Sequence, residues 1–479
     1  MKLETFFEKF DQFADAPRAV GKMRELVLDL AVNGKLTDRD LEKESVASEY
    51  SDEPSSDILP ANWRLLNFGK FCDIQGGNQP PKSQFSDEPR PGYVRMFQIR
   101  DLGERPVPVY ISKESTNRFC REGEILIGRY GASVGKVFWA QDGAYNVALA
   151  KFIFPEDALL PAFAFWVLKS EFFQAEIAGA SRSAQAGFNK GDLAAIDFPL
   201  PPLAEQKRIV AKVDELMALC DRLEAQQQER EARHAALARA SLARFADAPT
   251  PANLNLLFHS SFPISPSDLR KSILTLAVQG KLAPSVENKH VVLGEVIELI
   301  SGQHLLAHEH NEEGKGIPYL TGPSDFGPKH PVPTRWSETP KVVAEPGDIL
   351  VTVKGSGVGK TNKLVTEKTA ISRQLMAVRV TGADPDFVHL VLMNAADHFQ
   401  ESMTGIAIPG IGRKDVLELE AELPPLAEQR RIVAKVEHLM TLVDALETKL
   451  AASRAAAEKL LTSLVAELTG TPSLLPADS

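Results

Sequence analysis

Cysteine is scarce in this chain, with three in 479 residues: Cys72, Cys120 and Cys220. The number is odd and no pair stands in a CxxC spacing, so neither a disulfide framework nor a thiolate zinc site is supported. No apolar run approaches the roughly 20 residues that a membrane-spanning helix needs. The opening residues MKLETFFEKFDQF carry acids where a secretory signal would be basic, and the chain is therefore expected to be cytoplasmic, with no membrane contact. Positive charge is also in deficit, the net charge being -10. That sign argues against a simple polycationic nucleic-acid binder, because phosphate neutralisation supplies most non-specific affinity. There is no HExxH, no methyltransferase-type Asn-Pro-Pro-aromatic or Asp-Pro-Pro-aromatic run, no nuclease cluster and no Gly-rich dinucleotide fingerprint. The chain reads as non-catalytic, with no cofactor or metal of its own.

What the chain does have is a duplication. PPLAEQKRIVAKV, Pro201 to Val213, returns as PPLAEQRRIVAKV, Pro424 to Val436, with Lys207 against Arg430 the only change. RELVLDLAVNGKL, Arg24 to Leu36, matches RKSILTLAVQGKL, Arg270 to Leu282. GEILIGRYGASVGK, Gly123 to Lys136, matches GDILVTVKGSGVGK, Gly347 to Lys360, and GFNKGDL, Gly187 to Leu193, matches GIGRKDV, Gly410 to Val416. A period this long is one large unit repeated, not a solenoid. Each copy runs short helix, globular block, long helix. Nearly all the length difference between copies falls in the acidic, Ser-rich linker Thr37 to Pro60, expected to be a poorly ordered connection.

Five segments follow: 1–59, a helical region and acidic linker; 60–200, a first globular block; 201–287, a long helix and a short one; 288–423, a second block; and 424–479, a second long helix and tail. Their net charges are -6, +1, +1, -5 and -1. The near-neutral first block permits a local basic face; the second block is acidic.

After each PPLAEQ the sequence turns helical, with Pro at the start and no interior Gly or Pro. Ile432, Val436, Leu439, Val443, Leu446, Leu450, Ala457, Leu460 and Leu464 follow spacings of three and four, a coiled-coil seam. In the first copy Ile209, Val213, Leu216, Cys220 and Leu223 begin the same seam, but Gln227, Arg230 and His234 make its second half polar, which predicts partial exposure or a polar-tolerant partner surface there. The spacing predicts two antiparallel helices over 203 to about 243 and 426 to about 468. Short helices at 23–33 and 269–279 are each stopped by a glycine, Gly34 and Gly280. Within the blocks, Glu124 to Ile127, Lys136 to Ala140, Ile349 to Val353 and Leu375 to Val380 read as strands, and Ala162 to Glu176 and Pro385 to Gln400 as helices.

KGSGVGKT, Lys354 to Thr361, approaches a P-loop but has Lys354 where the motif needs its first glycine, and the other copy has Val137 where Thr361 stands. Both runs read as glycine-containing strand-turn-strand units. Their Arg129, Tyr130, Ser133 and Lys136, or Lys354, Ser356 and Lys360, are candidates to meet phosphates or bases. His304, His308 and His310 lack a metal-site spacing and read as a solvated loop.

The order AVNGKL, LPANWRLLNFGKFCDIQGG, GEILIGRYGASVGK and PLPPLAEQKRIVAKVDELM, in duplicate, resembles the DNA specificity subunit of type I restriction-modification enzymes. That resemblance implies an α+β chain with two mixed α/β target-recognition domains, joined and spaced by two long antiparallel coiled-coil helices with pseudo-two-fold duplication. It implies that each domain reads one half of a bipartite, asymmetric double-stranded DNA site. It further implies two methyltransferase subunits that carry S-adenosylmethionine, plus restriction translocase subunits. Candidate docking residues for those partners are Glu205, Arg208, Lys212, Glu428, Arg431 and Lys435. The alternative is a coiled-coil scaffold with two protein-binding heads.

Overall fold

The computed structural model describes residues 3–37, 59–102, 105–180, 187–194, 196–258, 264–283, 288–328, 330–365, 367–404 and 409–470. Most of the acidic linker expected between Thr37 and Pro60 lies outside the described residues. The chain divides into two units, one of residues 1–229 with 454–479 and the other of residues 230–453.

In the first unit, helices α1 (Leu3–Glu8), α2 (Phe10–Phe13) and α3 (Ala19–Val32) lead into a block. Its strands are β1 (Arg64–Asn67), β2 (Asp73–Gly76), β3 (Tyr93–Phe97), β4 (Val109–Ser112), β5 (Phe119–Cys120), β6 (Ile125–Gly128), β7 (Val137–Trp139), β8 (Gly143–Tyr145), β9 (Leu149–Ile153) and β10 (Asp197–Leu200). They form three sheets, β1-β10, β2-β9-β6-β7 and β4-β3-β8-β5, with β3 and β8 parallel and the other pairs antiparallel. The block's helices are α4 (Phe68–Phe71), α5 (Pro161–Lys169), α6 (Glu171–Ala180) and α7 (Lys190–Leu193), before the long α8 (Leu203–Asp247).

The second unit repeats the pattern. After α9 (Pro251–Leu257) and α10 (Pro266–Val278) come β11 (Lys289–Val292), β12 (Ile297–Ser301), β13 (Ile317–Leu320), β14 (Trp336–Ser337), β15 (Val343–Ala344), β16 (Ile349–Thr352), β17 (Thr361–Lys363), β18 (Thr369–Ile371), β19 (Leu375–Val380) and β20 (Glu420–Leu423). The sheet orders are β11-β20, β12-β19-β16-β17 and β14-β13-β18-β15, strand for strand those of the first unit. Helices α11 (Pro385–Asn394), α12 (Ala396–Glu401) and α13 (Arg413–Leu417) precede α14 (Leu426–Thr469). The strands expected within the blocks are present with ends shifted by at most a residue, whereas each helix expected there is divided in two, into α5 and α6 at Ser170 and into α11 and α12 at Ala395.

The long helices hold 45 and 44 residues, about 65 Å each at a rise of ~1.5 Å per residue. The first unit takes residues 203–229 of α8 and 454–469 of α14, and the second takes 230–247 and 426–453. Each unit therefore takes the N-terminal part of one long helix and the C-terminal part of the other. In the first unit Ile209, Val213, Leu216 and Cys220 are buried with Ala457, Leu461 and Leu464 against Phe6, Phe13, Met23 and Leu30 of the N-terminal helices. Each buried Val, Leu, Ile, Phe or Met among them contributes roughly 1.5 to 3 kcal/mol of burial. Ile432, Val436, Leu439 and Val443 do the same in the second unit with Phe245, Leu269 and Ile273. The polar half of the first seam is half-buried at Gln227, Arg230 and His234, and the Gln227 amide donates to the Ala14 carbonyl at 3.1 Å.

Both short helices stop as their glycines suggested. Gly34 and Gly280 have φ of 63° and 69°, and the next residues, Lys35 and Lys281, donate back to Leu30 and Leu276 carbonyls at 2.8 and 3.0 Å. This left-handed cap is the conformation glycine adopts most readily. Among the described residues no helix is long and apolar enough to cross a membrane.

Candidate nucleic-acid interface

The near P-loop is a β-hairpin turn in both copies. Between β6 and β7, Gly128 N–H donates to Lys136 O at 2.8 Å and Gly135 N–H to Gly128 O at 2.9 Å. Between β16 and β17, Thr352 N–H donates to Lys360 O at 2.9 Å and Gly359 N–H to Thr352 O at 3.0 Å. The second repeated motif explains itself against this turn: Tyr130 forms a bridge with Gly187, and Lys354 with Gly410. Segments distant in sequence thus fix one rim of each four-stranded sheet.

The candidate contact residues fall on that rim with different exposures. Arg129 is half-buried, its guanidinium 5.1 Å from the centre of the Tyr130 ring and its Nε 3.4 Å from Phe188 O. Tyr130 is 42% exposed. Ser133 is buried and donates its hydroxyl to Tyr130 O at 2.8 Å, bracing the turn from inside. Lys136, Lys354, Ser356 and Lys360 are exposed.

Sequence reading missed a third element of the rim. Between β8 and β9 the turn Asn146–Val147–Ala148 packs beside the hairpin, with Arg129 N–H donating to Ala148 O at 2.8 Å. Between β18 and β19 the turn Ser372–Arg373–Gln374 does the same, with Val353 N–H donating to Gln374 O at 2.8 Å. A side chain at Gly77 would collide with the Asn146 carbonyl, and one at Gly302 with that of Ser372. These two glycines, which close the runs IQGG (Ile74 to Gly77) and LISG (Leu299 to Gly302), were the available signal.

The PPLAEQ repeat has a structural cause. Gln206 is fully buried; its amide donates to Ala158 O at 2.9 Å and Pro201 O at 2.8 Å, while its carbonyl accepts from Leu160 N–H at 2.8 Å. Gln429 donates to Pro424 O at 2.8 Å and accepts from Asp384 N–H at 2.7 Å. In both units one glutamine ties the long helix to the residue that starts a block helix, α5 or α11. Arg24 bridges Asp221 and Glu224, each at 2.7 Å, and Arg270 bridges Asp444 and Glu447 at 2.7 and 2.6 Å. These pairs fasten the short helix to the long one at equivalent places.

Among the docking candidates, Glu205 is 1% exposed and accepts from Asn62 at 3.2 Å. Glu428 is buried and accepts from the exposed Arg431 at 2.6 Å. Lys435 donates to Leu282 O at 3.0 Å. Arg208 and Lys212 line a cavity of about 930 Å³ with Lys35 and Glu215, and Lys212 pairs with Glu215 at 3.2 Å. His304 and His308 are exposed, His310 lies 5.7 Å from Tyr319 ring to ring, and no group of three or more His, Cys, Asp or Glu among the described residues could hold a metal. Burial pushes the thiols up, Cys220 to about 11 and Cys120 to about 12, where neither is a thiolate at neutral pH.

Residues 60–231 match the family model of the type I restriction modification DNA specificity domain. The chain is similar to the DNA specificity subunits of type I restriction enzymes. It is 28% identical over 343 residues to the type I restriction enzyme EcoKI specificity subunit of Escherichia coli K12, covering 65% of this chain and 66% of that one. With the putative type I restriction enzyme MjaX specificity subunit of Methanocaldococcus jannaschii it shares 26% identity over 262 residues, covering 54% of this chain and 56% of the other. The matches thus span just over half to two thirds of those two family members. A 23% match to the Escherichia coli EcoBI specificity subunit covers 88% of this chain and 89% of the relative. In fold, the chain resembles one solved in a study of complex assembly and conformational transition of the type I R-M system, with TM-score 0.59, 24% identity and coverage of 87% and 99%.

Proposed function

We propose that this chain is the non-catalytic, sequence-reading subunit of a cytoplasmic type I restriction-modification complex. Residues 60–200 read one half of a bipartite, asymmetric duplex site and residues 288–423 read the other. The observation that carries this reading is the pair of blocks with identical strand order and identical backbone clamps whose rim side chains differ: half-buried Arg129 with exposed Tyr130 and Val147 in one, exposed Lys354, Ser356 and Arg373 in the other. Two copies of one scaffold with unlike rims fit two unlike half-sites, with contacts to backbone and bases divided as in other DNA readers.

The helical segments 201–287 and 424–479 serve as spacer and docking surface. The repeated PPLAEQ helices offer two equivalent surfaces, which fits two methyltransferase subunits per chain, each bringing S-adenosylmethionine and catalysis. Restriction translocase subunits complete the assembly. With a second block of net charge -5, much of the positive surface on DNA has to come from these partners.

The test is methylome sequencing of the host with and without this chain. A bipartite methylated motif that vanishes with the chain supports the reading. An unchanged methylome, with the chain recovered in protein complexes lacking a methyltransferase, would favour a protein-binding scaffold.

A further inference from the structure

We propose that one turn position, Val147 in the first block and Arg373 in the second, reads a base pair in each half-site, and that Arg373 takes a guanine. This rests on the proposed division of the DNA site between the blocks and names a residue that does the reading.

The equivalence of the two positions follows from strand register. Phe97 pairs with Tyr145 as Leu320 pairs with Ile371, and Gly128 pairs with Leu149 as Thr352 pairs with Leu375. Three residues connect the paired strands in each block, and Val147 and Arg373 are the middle ones. Both turns are held by the same bonds. Asn146 N–H donates to Phe97 O and Leu149 N–H to Asn146 O, each at 3.0 Å; Ser372 N–H donates to Leu320 O at 3.0 Å and Leu375 N–H to Ser372 O at 2.9 Å. A side-chain brace is repeated too: Ala148 N–H donates to Asn146 Oδ1, and Gln374 N–H to Ser372 Oγ, both at 3.1 Å. The backbone is thus fixed alike in both blocks while the middle side chain, exposed in both, changes from isopropyl to guanidinium.

Charge pairing separates Arg373 from other cations of its block. Lys289, Lys315, Arg335, Lys341, Lys363, Lys368, Arg379 and Lys414 each meet an acid. Among the described residues Lys354, Lys360 and Arg373 make no ion pair, and all three sit on the one rim; Arg413 makes none either, but its guanidinium donates to Leu299 O and Ser301 Oγ at 2.8 and 3.0 Å. An acidic block therefore keeps free positive charge at the edge where the hairpin and the turn meet. The two lysines are point charges suited to phosphate, whereas an arginine on a rigid turn presents a fork that matches guanine O6 and N7. Val147 has no polar group for that edge and suits the thymine methyl in the corresponding place of the other half-site.

The test is the methylated motif of the assembled complex with wild-type chain, Arg373→Ala and Arg373→Lys, after exchange of residues 288–423 has shown which half-site the second block reads. Arg373 is exposed, and thermal melting of each variant confirms folding. A fixed G:C pair is expected in that half-site. Arg373→Ala should lower the preference for it by roughly 5- to 150-fold, the range of a lost bidentate contact, with the other half-site retained. Arg373→Lys keeps the charge and should lose the preference as well. An unchanged motif in both variants, a uniform loss of methylation with no change of motif, or a change in the other half-site would overturn the assignment. A wild-type motif without two parts would overturn the underlying division of the site, and this assignment with it.

Discussion

Substitution of Gln206 by alanine should destabilise the first unit far more than an ordinary helix substitution. The side chain is fully buried and makes three hydrogen bonds, to Ala158 O, Pro201 O and Leu160 N–H. Alanine leaves all three backbone groups without that partner and opens a cavity. An orphaned buried group costs about 1 to 3 kcal/mol, with carbonyls at the lower end, so the expected loss is ~3 to 5 kcal/mol. Gln429→Ala removes two bonds in place of three, for an expected loss of ~2 to 3 kcal/mol. Gln206→Glu keeps the volume and the bond from Leu160 but turns an oxygen towards two carbonyls. Its carboxyl is then favoured in the protonated form, so the variant should be weakest at neutral pH and recover as pH falls. The assay is urea unfolding followed by tryptophan fluorescence, since Trp63, Trp139 and Trp166 all lie in the first unit. A loss for Gln206→Ala under ~1 kcal/mol, the size of an average single substitution, would refute the reasoning, as would a greater loss for Gln429→Ala.

Arg270→Ala should cost at most ~1 kcal/mol, and less in high salt, because Asp444 and Glu447 are well exposed; a loss that does not respond to salt contradicts this. Arg129→Ala in an assembled methyltransferase complex should weaken binding of cognate DNA, by roughly 5- to 150-fold if Arg129 meets a guanine; equal affinity removes Arg129 from the contact residues. The purified chain should transfer no methyl groups alone and should bind two methyltransferase partners. Methyl transfer by the isolated chain would falsify the division of labour, and a stable one-to-one complex would undercut the meaning of the duplication.

The long helices were legible because a seam of Ile, Val and Leu at three and four residue spacing is a local signal, and glycines at 34 and 280 mark the short helix ends. The hairpin turns were legible because Lys354 breaks the phosphate-loop pattern. Sheet order was not, since β9 comes to lie between β2 and β6 through pairings that no local period encodes. The same non-locality hid the turns around Val147 and Arg373, which reach the rim only through bonds to Arg129 and Val353. Burial of Glu205 and Glu428 was within reach. Each precedes a seam residue, Ile209 or Ile432, by four positions and so shares its helix face.

Exchange of residues 60–200 for the matching segment of a type I specificity subunit that the chain resembles tests the central claim most directly. The chimaera, assembled with its methyltransferase partners, is read by mapping modified bases across a genome. One half of the bipartite motif should change to that of the donor while the other half stays as it was. A map in which both halves change, or neither, would contradict the assignment of one block to one half-site.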